Sequence, residues 1–193
     1  MDIEEMIRNR RAVFPKQMNG KKVPQQVLVT MLDLANWAPT HKRTEPWRFK
    51  VYTDNALVKL LDLTKVCYVK ETPADKFNSV KLDKIEQRKT QVSHVIAICM
   101  KRDESQNPLP EFEEIASTSM AVQNMWLYLE STQKYGGYWS TPKYALGDDF
   151  RGFLGLQDEE KCLGLFYLGT IEAGLVKSEG KRGNWRDKVV FHS

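Results

Sequence analysis

The sequence predicts an α+β fold, in which helices and strands are mixed without the regular alternation of a doubly wound sheet. Residues 24–37 carry apolar side chains at helical spacing, which is typical of an amphipathic helix. Two short apolar runs, HVIAICM at 94–100 and CLGLFYLGT at 162–170, are typical of buried strands. With 193 residues, of which 41% are hydrophobic, the chain is long enough to form one well-buried domain over residues 1–193.

The helix at 24–37 is the best defined of the predicted helices. Pro24 suits its first turn, and its apolar face runs through Val27, Leu28, Met31, Leu32, Ala35 and Ala38. A longer helix is predicted over about 111–135, and we expect Gly136 and Gly137 to end it. Its apolar face consists of Ile115, Ser119, Val122, Trp126 and Leu129. Shorter helices are predicted over 2–9, 55–64 and 147–154.

Three other segments complete the predicted organisation. Trp47, Phe49 and Val51 alternate with polar residues as in a strand, directly after a polar loop. The charged, helix-prone stretch within 70–92 is either a solvated surface helix or a mobile lid. The tail from about 175 to 193 is basic and then apolar. It has no obvious place in one compact subunit, so we expect it to pack on a partner subunit.

Composition limits the classes of partner. The net charge of +4, with a pI near 8.9, comes from scattered Lys and Arg residues. This balance suits ligands that carry phosphate but is too weak to indicate a nucleic acid. The longest apolar run, Val95 to Met100, is far too short to span a bilayer, and the N-terminus lacks the apolar region of a signal peptide. We therefore expect a cytoplasmic protein with no membrane partner.

The cysteines and histidines do not show the spacing of a metal site. Cys67, Cys99 and Cys162 form no CxxC motif. Cys99 and Cys162 lie in apolar stretches, which suits buried structural thiols in a reducing compartment. His94 opens an apolar strand, and we expect it to be a satisfied core or edge residue and not a ligand.

Motifs for nucleotide binding and nucleophilic catalysis are also missing. The sequence contains no GxGxxG, no P-loop, no HExxH and no GxSxG elbow. No catalytic side chain is therefore supported by a motif. A bound cofactor is expected to carry the chemistry if the protein is an enzyme.

Three segments carry residues suited to binding such a cofactor. Arg10 and Arg11 offer planar, multi-donor recognition of a phosphate, and a solvated surface pair is the alternative. In residues 38–46, one proline stops a helix and a second biases Glu45 towards an extended backbone. The alternative there is an ordinary helix-to-strand loop anchored by a core tryptophan. In residues 136–141, glycines allow the backbone to approach a flat ligand.

The order and spacing of four segments resemble the nitroreductase family. They are RRAVFPKQ near the start, then LANWAPTHKRTEPWRFKVY, YGGYWS near position 138 and LGLFYLGT near position 165. The resemblance covers nearly the whole chain and is closest to the compact members of the family. It implies a homodimer whose subunits have a three-layer α/β/α arrangement with a central, mainly antiparallel sheet. It also implies two FMN sites, each made jointly by both subunits.

The same resemblance implies roles for residues within one subunit. Arg10 and Arg11 correspond to residues that hold the FMN phosphate and ribityl chain, and Ala12 stands where the family commonly has serine. Arg182, or alternatively Arg186, is implied as a second phosphate ligand. The isoalloxazine ring is expected to be lined, through backbone and hydroxyl groups, by Trp139, Ser140 and Thr141.

Other residues are implied to approach the flavin from the partner subunit. Trp37 and His41 lie in the loop that makes this approach, and Glu45 occupies the family's usual glutamine position. Arg43 replaces a residue that is usually small and polar or asparagine. The departures at Ala12, Arg43 and Glu45 can retune the flavin or weaken its binding.

The resemblance implies a ping-pong oxidoreductase. NADH or NADPH gives hydride to flavin N5, and an electron-poor acceptor, such as a nitroaromatic or a quinone, then takes its place. No catalytic side chain and no metal are required for this chemistry. Two alternatives stay open: a flavin-binding module with little turnover, and a related flavoenzyme such as a reductive dehalogenase.

Overall fold

The computed structural model describes residues 2–192. Within them four strands form a sheet: β1 (Trp47–Tyr52), β2 (His94–Lys101), β3 (Tyr135–Ser140) and β4 (Glu160–Thr170). The strand order is β1-β2-β4-β3, and every neighbouring pair is antiparallel. The predicted α+β fold with an antiparallel sheet is confirmed.

Six α-helices flank this sheet within the same residues. They are α1 (Ile3–Asn9), α2 (Gln25–Ala35), α3 (Asp54–Glu71), α4 (Ser79–Gln91), α5 (Glu111–Thr132) and α6 (Asp148–Leu154). Helices α3, α4 and α6 contribute to the core on one face of the sheet, and α2 and α5 to the core on the other face. The arrangement is therefore a three-layer α/β/α sandwich, as predicted.

The central strand β2 explains the apolar run HVIAICM. Val95, Ala97 and Cys99 pack in the core on the α3 side, whereas Ile96 and Ile98 pack in the core on the α5 side. Because helices cover both faces, the strand is apolar on both. Full burial of each Val or Ile side chain stabilises the fold by about 1.5–3 kcal/mol. Strand β2 therefore contributes to the stability of both cores.

The predicted buried thiols and histidine are confirmed. All three cysteines are buried free thiols, and Cys99 and Cys162 are register partners across β2 and β4. His94 is buried at the start of β2, with its Nδ1 2.9 Å from the Ser93 hydroxyl. That hydroxyl accepts a hydrogen bond from the Val23 N–H at 2.8 Å, so it can donate its own proton to the histidine.

The inner faces of two helices differ from the sequence prediction. The helix predicted over 55–64 continues to Glu71 as α3, because residues such as Tyr68 extend its buried face by further turns. In α5, Ile115 is exposed and Ser119 is half-buried, although both were expected on the core face. The core face is rotated about the helix axis and contains Ser117, Thr118, Ala121, Val122, Met125 and Leu129.

Helix α5 also ends earlier than predicted, and the glycines beyond it do not end it. Its last residue is Thr132, and Gln133 adopts the left-handed conformation that terminates many helices, with φ of 55°. The Gln133 side-chain amide donates to the Glu130 carbonyl at 2.6 Å, which compensates for the absence of glycine at this position. Gly136 and Gly137 lie inside β3 instead.

The charged stretch within 70–92 forms a short 3-10 turn and then α4, most of which is exposed. Ile85 is the buried residue of this helix. On the outer side, the Lys89 ammonium lies 2.6 Å from the Asp62 carboxylate of α3 and 2.9 Å from that of Glu86. The contact between Lys89 and Asp62 holds the surface helix α4 against α3. A function of α4 as a lid stays a prediction.

The C-terminal segment from residue 175 onward lies mostly outside the core. Val176, Val190 and Phe191 are 88%, 76% and 83% exposed. Packing of this segment on a second subunit stays a prediction. Across residues 2–192, no helix has the length and apolarity needed to cross a membrane.

The Gly137→Ala variant is expected to be less stable than the wild type. An added Cβ would lie 2.1 Å from the ring of Phe166, which is fully buried. Overpacking of this kind costs about 1–3 kcal/mol. Chemical denaturation measures the loss, and Gly152→Ala is the matched control because a Cβ there meets nothing within 4 Å. Equal stability of the two variants would contradict this account of β3 packing.

Acidification is expected to destabilise the fold through His94. Burial lowers the pKa of His94, an effect that Asp54 opposes and Lys22 reinforces. The unfolded chain, with a pKa of about 6.5, therefore binds the proton more readily, and stability falls as the pH drops through and below that value. Thermal unfolding at about pH 7.5 and about pH 5.5 should show a larger loss for the wild type than for His94→Gln. Equal losses would exclude His94 as the source.

Candidate functional site

The N-terminal segment that follows α1 lies against the outer edge of β3. The N–H of Val13 donates to the Gly137 carbonyl at 3.0 Å. The indole N–H of Trp126, from α5, donates to the same carbonyl at 2.9 Å. These bonds cover an edge strand that would otherwise expose unpaired backbone groups. They also place residues 10–12 beside β3.

The two glycines of β3 serve this protein contact, and the expectation that they admit a flat ligand is wrong. A Cβ at Gly136 would lie 2.5 Å from Cβ of Val13, and one at Gly137 would lie 2.1 Å from the Phe166 ring. Both distances are far below van der Waals contact. The glycines are therefore needed for close approach of protein groups on the two faces of β3.

Among the residues predicted to bind phosphate, Arg10 is the one whose charged form is disfavoured by its surroundings. Its guanidinium lies over the Trp126 ring, 4.9 Å from the ring centroid, and makes no hydrogen bond to other groups of residues 2–192. Burial lowers the pKa of Arg10, and the charges of Arg182 and Arg11 lower it further, while Glu130 raises it. The predicted partner Arg182 thus lies within electrostatic range of Arg10, and these positive charges suit an anion.

Arg11 differs from Arg10, because its Nε and Nη1 donors are already engaged by backbone carbonyls, and its role in binding the phosphate stays a prediction. Its Nε donates to the Ser178 carbonyl at 3.0 Å, and its Nη1 donates to the carbonyls of Arg8 at 2.6 Å and Arg10 at 2.8 Å. Arg11 therefore joins the C-terminal segment to the end of α1. Ala12, the next residue, is half-buried between Arg11 and β3.

A buried ion pair reinforces this attachment of the C-terminal segment. The Lys177 ammonium lies 2.6 Å from a carboxylate oxygen of Glu130, and both side chains are largely buried. Breaking a buried pair by removing one partner typically costs about 3–5 kcal/mol. Arg186, the alternative phosphate ligand, lies instead over the Trp185 ring at 4.7 Å.

The end of β3 divides its residues between two faces. Tyr138 and Ser140 border a cavity on the α4 side. Trp139 packs in the opposite core, where its Nε1 donates to the Thr141 hydroxyl at 2.9 Å and to the Leu163 carbonyl at 3.3 Å. The Thr141 hydroxyl donates to the Leu163 carbonyl at 2.8 Å. Of the three predicted ring-lining residues, Ser140 alone faces the cavity with its side chain.

Two adjoining cavities between α4 and β3 form what we call the α4–β3 groove. They measure about 360 Å³ and 560 Å³, which is the size range of small-molecule sites, and they share Lys84, Arg88 and Tyr138. Arg88 is fixed over the buried Tyr167, donating to its hydroxyl at 2.9 Å. Phe14 lines the groove with its ring centroid 4.8 Å from that of Tyr138.

Sequence reasoning missed these groove residues. A usable signal was present, because Lys81, Lys84 and Arg88 recur at the three- and four-residue spacing that places side chains on one face of a helix. The charged composition of the stretch within 70–92 obscured this signal. Phe14 and Tyr138 lie in segments that were singled out, but without a role.

The loop that carries Trp37, His41 and Glu45 is not brought to the groove within one subunit. It leads into β1, and β1 and β3 are opposite edges of the sheet with two strands between them. At about 4.8 Å per strand, the edges are about 14 Å apart. Trp37 is 78% exposed, and the His41 Nδ1 lies 2.6 Å from a Glu113 carboxylate oxygen at the start of α5.

The backbone of this loop is strained. Lys42, Arg43 and Glu45 have φ of 51°, 56° and 42°, in the left-handed region that non-glycine residues rarely adopt. The expectation that Pro46 holds Glu45 extended is therefore wrong. The Thr40 hydroxyl accepts a hydrogen bond from the Glu45 N–H at 3.1 Å and stabilises the turn. Strain of this kind costs about 1–3 kcal/mol per residue and is typical of ligand-binding segments.

One group of potential metal-binding side chains lies away from the groove. Single ligand atoms of Cys67, Glu71 and Asp149 come within 4.8 Å of one another. The Lys70 ammonium, 2.7 Å from the Asp149 carboxylate, already supplies positive charge there. Burial and the two carboxylates raise the pKa of the Cys67 thiol, so it stays protonated. We assign no metal to this group.

The fold and the site define a three-layer α/β/α protein with arginines on the α5 side of β3 and a cavity of cofactor size on the α4 side. The chain belongs to the nitroreductase family, whose sequence model, "Nitroreductase family", matches residues 7–170. The resemblance predicted from the four sequence segments is confirmed.

Relatives with similar sequences match almost end to end. YfhC of Bacillus subtilis, described as a candidate NAD(P)H nitroreductase, is 28% identical over 190 residues, covering 97% of this chain and 93% of YfhC. A Haemophilus influenzae protein with the same description is 24% identical, covering 93% of this chain and 92% of that protein.

Solved structures have a similar fold. The crystal structure of a nitroreductase-like family protein from Bacillus cereus has a TM-score of 0.83 and 22% identity, covering 100% of this chain and 96% of that chain. The FMN-dependent nitroreductase NfnB from Mycobacterium smegmatis, in complex with NADPH, has a TM-score of 0.73 and 15% identity, covering 98% and 97%. At these identities the similarity establishes the fold.

Proposed function

We propose that this member of the nitroreductase family is an FMN-dependent oxidoreductase. Its electron donor is NADH or NADPH, and its acceptor is an electron-poor compound such as a nitroaromatic or a quinone. The observation that carries the proposal is Arg10, a half-buried cation that lies over the Trp126 ring, within electrostatic range of Arg182, with no hydrogen-bond partner for its side chain among residues 2–192. The descriptions of YfhC as an NAD(P)H nitroreductase candidate and of NfnB as FMN-dependent support it.

The chemistry of Arg10 and Arg182 fits the phosphate of FMN. A phosphate monoester carries a charge of about −1.5 to −2 near neutral pH, and guanidinium groups bind it through paired, charge-assisted hydrogen bonds. An anion between the two arginines relieves the burial and repulsion that lower the pKa of Arg10. Arg11 is a positioning residue in this scheme, because it holds the segment that carries Arg182.

The residues that would border the flavin ring are Phe14, Tyr138 and Ser140, which line the α4–β3 groove. Their aromatic faces and the hydroxyl suit a flat ring with a polar edge. When bound, FMN supplies a ring that takes hydride from NAD(P)H and passes electrons to the acceptor. The side chains of this protein bind and orient, and we assign none of them as a catalytic acid or base.

We further propose that the protein works as a homodimer in which the Trp37–Glu45 loop of one subunit completes the flavin site of the other. In one subunit this loop and the groove lie at opposite edges of the sheet. Large apolar side chains are left on the surface, with Trp37 78%, Phe112 70% and Phe191 83% exposed, and exposed apolar area of this kind is typical of an interface. The three buried free thiols suit a cytoplasmic location.

The purified protein is expected to be yellow, with flavin absorbance that NADH or NADPH bleaches under anaerobic conditions. Titration with each nicotinamide identifies the preferred donor. Bleaching no faster than that of free FMN would indicate a flavin-binding module with little turnover. A colourless protein that FMN fails to reconstitute would contradict the cofactor.

The Arg10→Ala variant is expected to raise the FMN dissociation constant about tenfold to a hundredfold, since a hydrogen bond to a charged group contributes about 1.5–3 kcal/mol. Fluorescence titration of the apoprotein with FMN measures it. Arg8→Ala is the matched control, because Arg8 is exposed and contacts only Glu4 at 3.9 Å through its side chain. Arg11→Ala should weaken binding through the released tail, whereas Lys89→Ala should not. Equal constants for Arg10→Ala and Arg8→Ala would refute the phosphate assignment.

A further inference from the structure

One face of α4 concentrates positive charge on the α4–β3 groove. Lys81, Lys84 and Arg88 follow one another at helical spacing and all line its cavities. Acidic Glu86 lies on the other side of the helix, where it pairs with Lys65 at 2.7 Å. The groove face of the helix thus carries cations, whereas on its other side Glu86 and Lys89 are paired with opposite charges.

The groove cations have no acidic partners. Lys16 and Lys143 line the same cavities from the facing segments, and the lining residues include no Asp or Glu. Among residues 2–192, none of the four groove lysines has a carboxylate oxygen within 4 Å of its ammonium. Some lysines elsewhere in the described part of the chain, such as Lys70 and Lys161, are paired at 2.7 Å and 2.5 Å, whereas others, such as Lys59, are not, so the groove is distinguished by bringing four unpaired lysines together. An anion is therefore the complementary ligand of this groove.

The walls between these cations are aromatic. Tyr68, Tyr138 and Tyr144 line one cavity and Phe14 lines the other. The Lys81 ammonium lies 5.8 Å from the centroid of the Tyr68 ring. Aromatic faces suit a flat ring, and the surrounding ammonium groups suit a negatively charged substituent on it.

We propose that the electron acceptor of this protein is an anionic aromatic compound, a nitroaromatic or quinone that carries a carboxylate or sulfonate, and that Lys84 selects this charge. The proposal rests on the proposed function. The FMN phosphate is assigned there to Arg10 and Arg182, and the flavin ring carries no charge when oxidised and at most one negative charge when reduced, so the cofactor cannot neutralise all four groove lysines. Lys84 lines both cavities, which places it at their junction.

The charged substituent takes no part in the reduction. A nitro group takes up one hydride and one proton and releases one water molecule to become a nitroso group. A quinone takes up one hydride and one proton to become a hydroquinone. The donor NAD(P)H supplies the hydride through the cofactor, and water supplies the proton.

The test compares two acceptors of almost equal shape, 4-nitrobenzoate and 4-nitrobenzamide, with the holoenzyme and saturating NAD(P)H. The amide is the more electron-poor of the two, so intrinsic reactivity opposes the expected result. We expect the ratio of kcat/KM values, acid over amide, to exceed ten and to fall as ionic strength rises. Lys84→Gln should lower this ratio at least tenfold, and Lys89→Gln, one residue beyond Arg88 and paired with Asp62 on the outer side, should leave it unchanged.

Binding is measured separately, by calorimetric titration of benzoate into the oxidised holoenzyme and the same two variants. Lys84→Gln should weaken benzoate binding at least tenfold relative to Lys89→Gln.

An acid-to-amide ratio of kcat/KM near one in the wild type, or an equal ratio in both variants, would overturn the proposal while leaving the flavoenzyme assignment intact. A change in the preference for NADPH over NADH, with the acid-to-amide ratio unchanged, would also overturn it, since the groove would then bind the nicotinamide phosphate. Absence of FMN would instead refute the proposed function, and benzoate titration into that protein would still test the groove.

Discussion

The carbonyl oxygen of Gly137 accepts two hydrogen bonds, one from the Val13 N–H at 3.0 Å and one from the Trp126 indole at 2.9 Å, and the geometry of the site depends on both. Through the first bond, the N-terminal segment is fixed along the edge of β3. Through the second, α5 is held against the same point. Arg10 consequently lies over Trp126 and Phe14 lies in the groove. Because β3 has no side chain at this position, its carbonyl is accessible from both sides.

Two separate positive regions follow from this arrangement, and they differ in burial. Arg10 is half-buried and lies over the Trp126 ring, so its position suits the proposed role of holding one phosphate. Lys81 and Lys84 of α4 are exposed and have no salt-bridge partner within residues 2–192, so they suit a ligand that enters and leaves. The strained loop that ends at Glu45 lies at the far edge of the sheet. Under the proposed function a second subunit completes the site, so we expect activity to depend on dimer formation.

Much of the fold could be predicted from the sequence because its strongest signals are local. The runs that became β2 and β4 are apolar on both faces, and α2 has a clear helical period, so both kinds of element follow from patterning alone. The errors come from tertiary contacts. Glycine was interpreted as a helix end, but Gly136 is needed because Val13 packs against it. Glu45 precedes a proline, yet the Thr40 hydroxyl holds it in the left-handed region. The cation-lined groove depends on the three-dimensional proximity of α4 and β3, which spacing along the chain does not encode.

A crystal structure of the protein grown with FMN tests the central claim most directly, because it reports the position of the phosphate and the contribution of each subunit together. The account predicts phosphate oxygens within about 3 Å of the guanidinium groups of Arg10 and Arg182, a ring beside Tyr138, and the Trp37–Glu45 loop of the partner subunit in contact with that ring. An FMN phosphate bound elsewhere, or a flavin site enclosed by a single subunit, would contradict it.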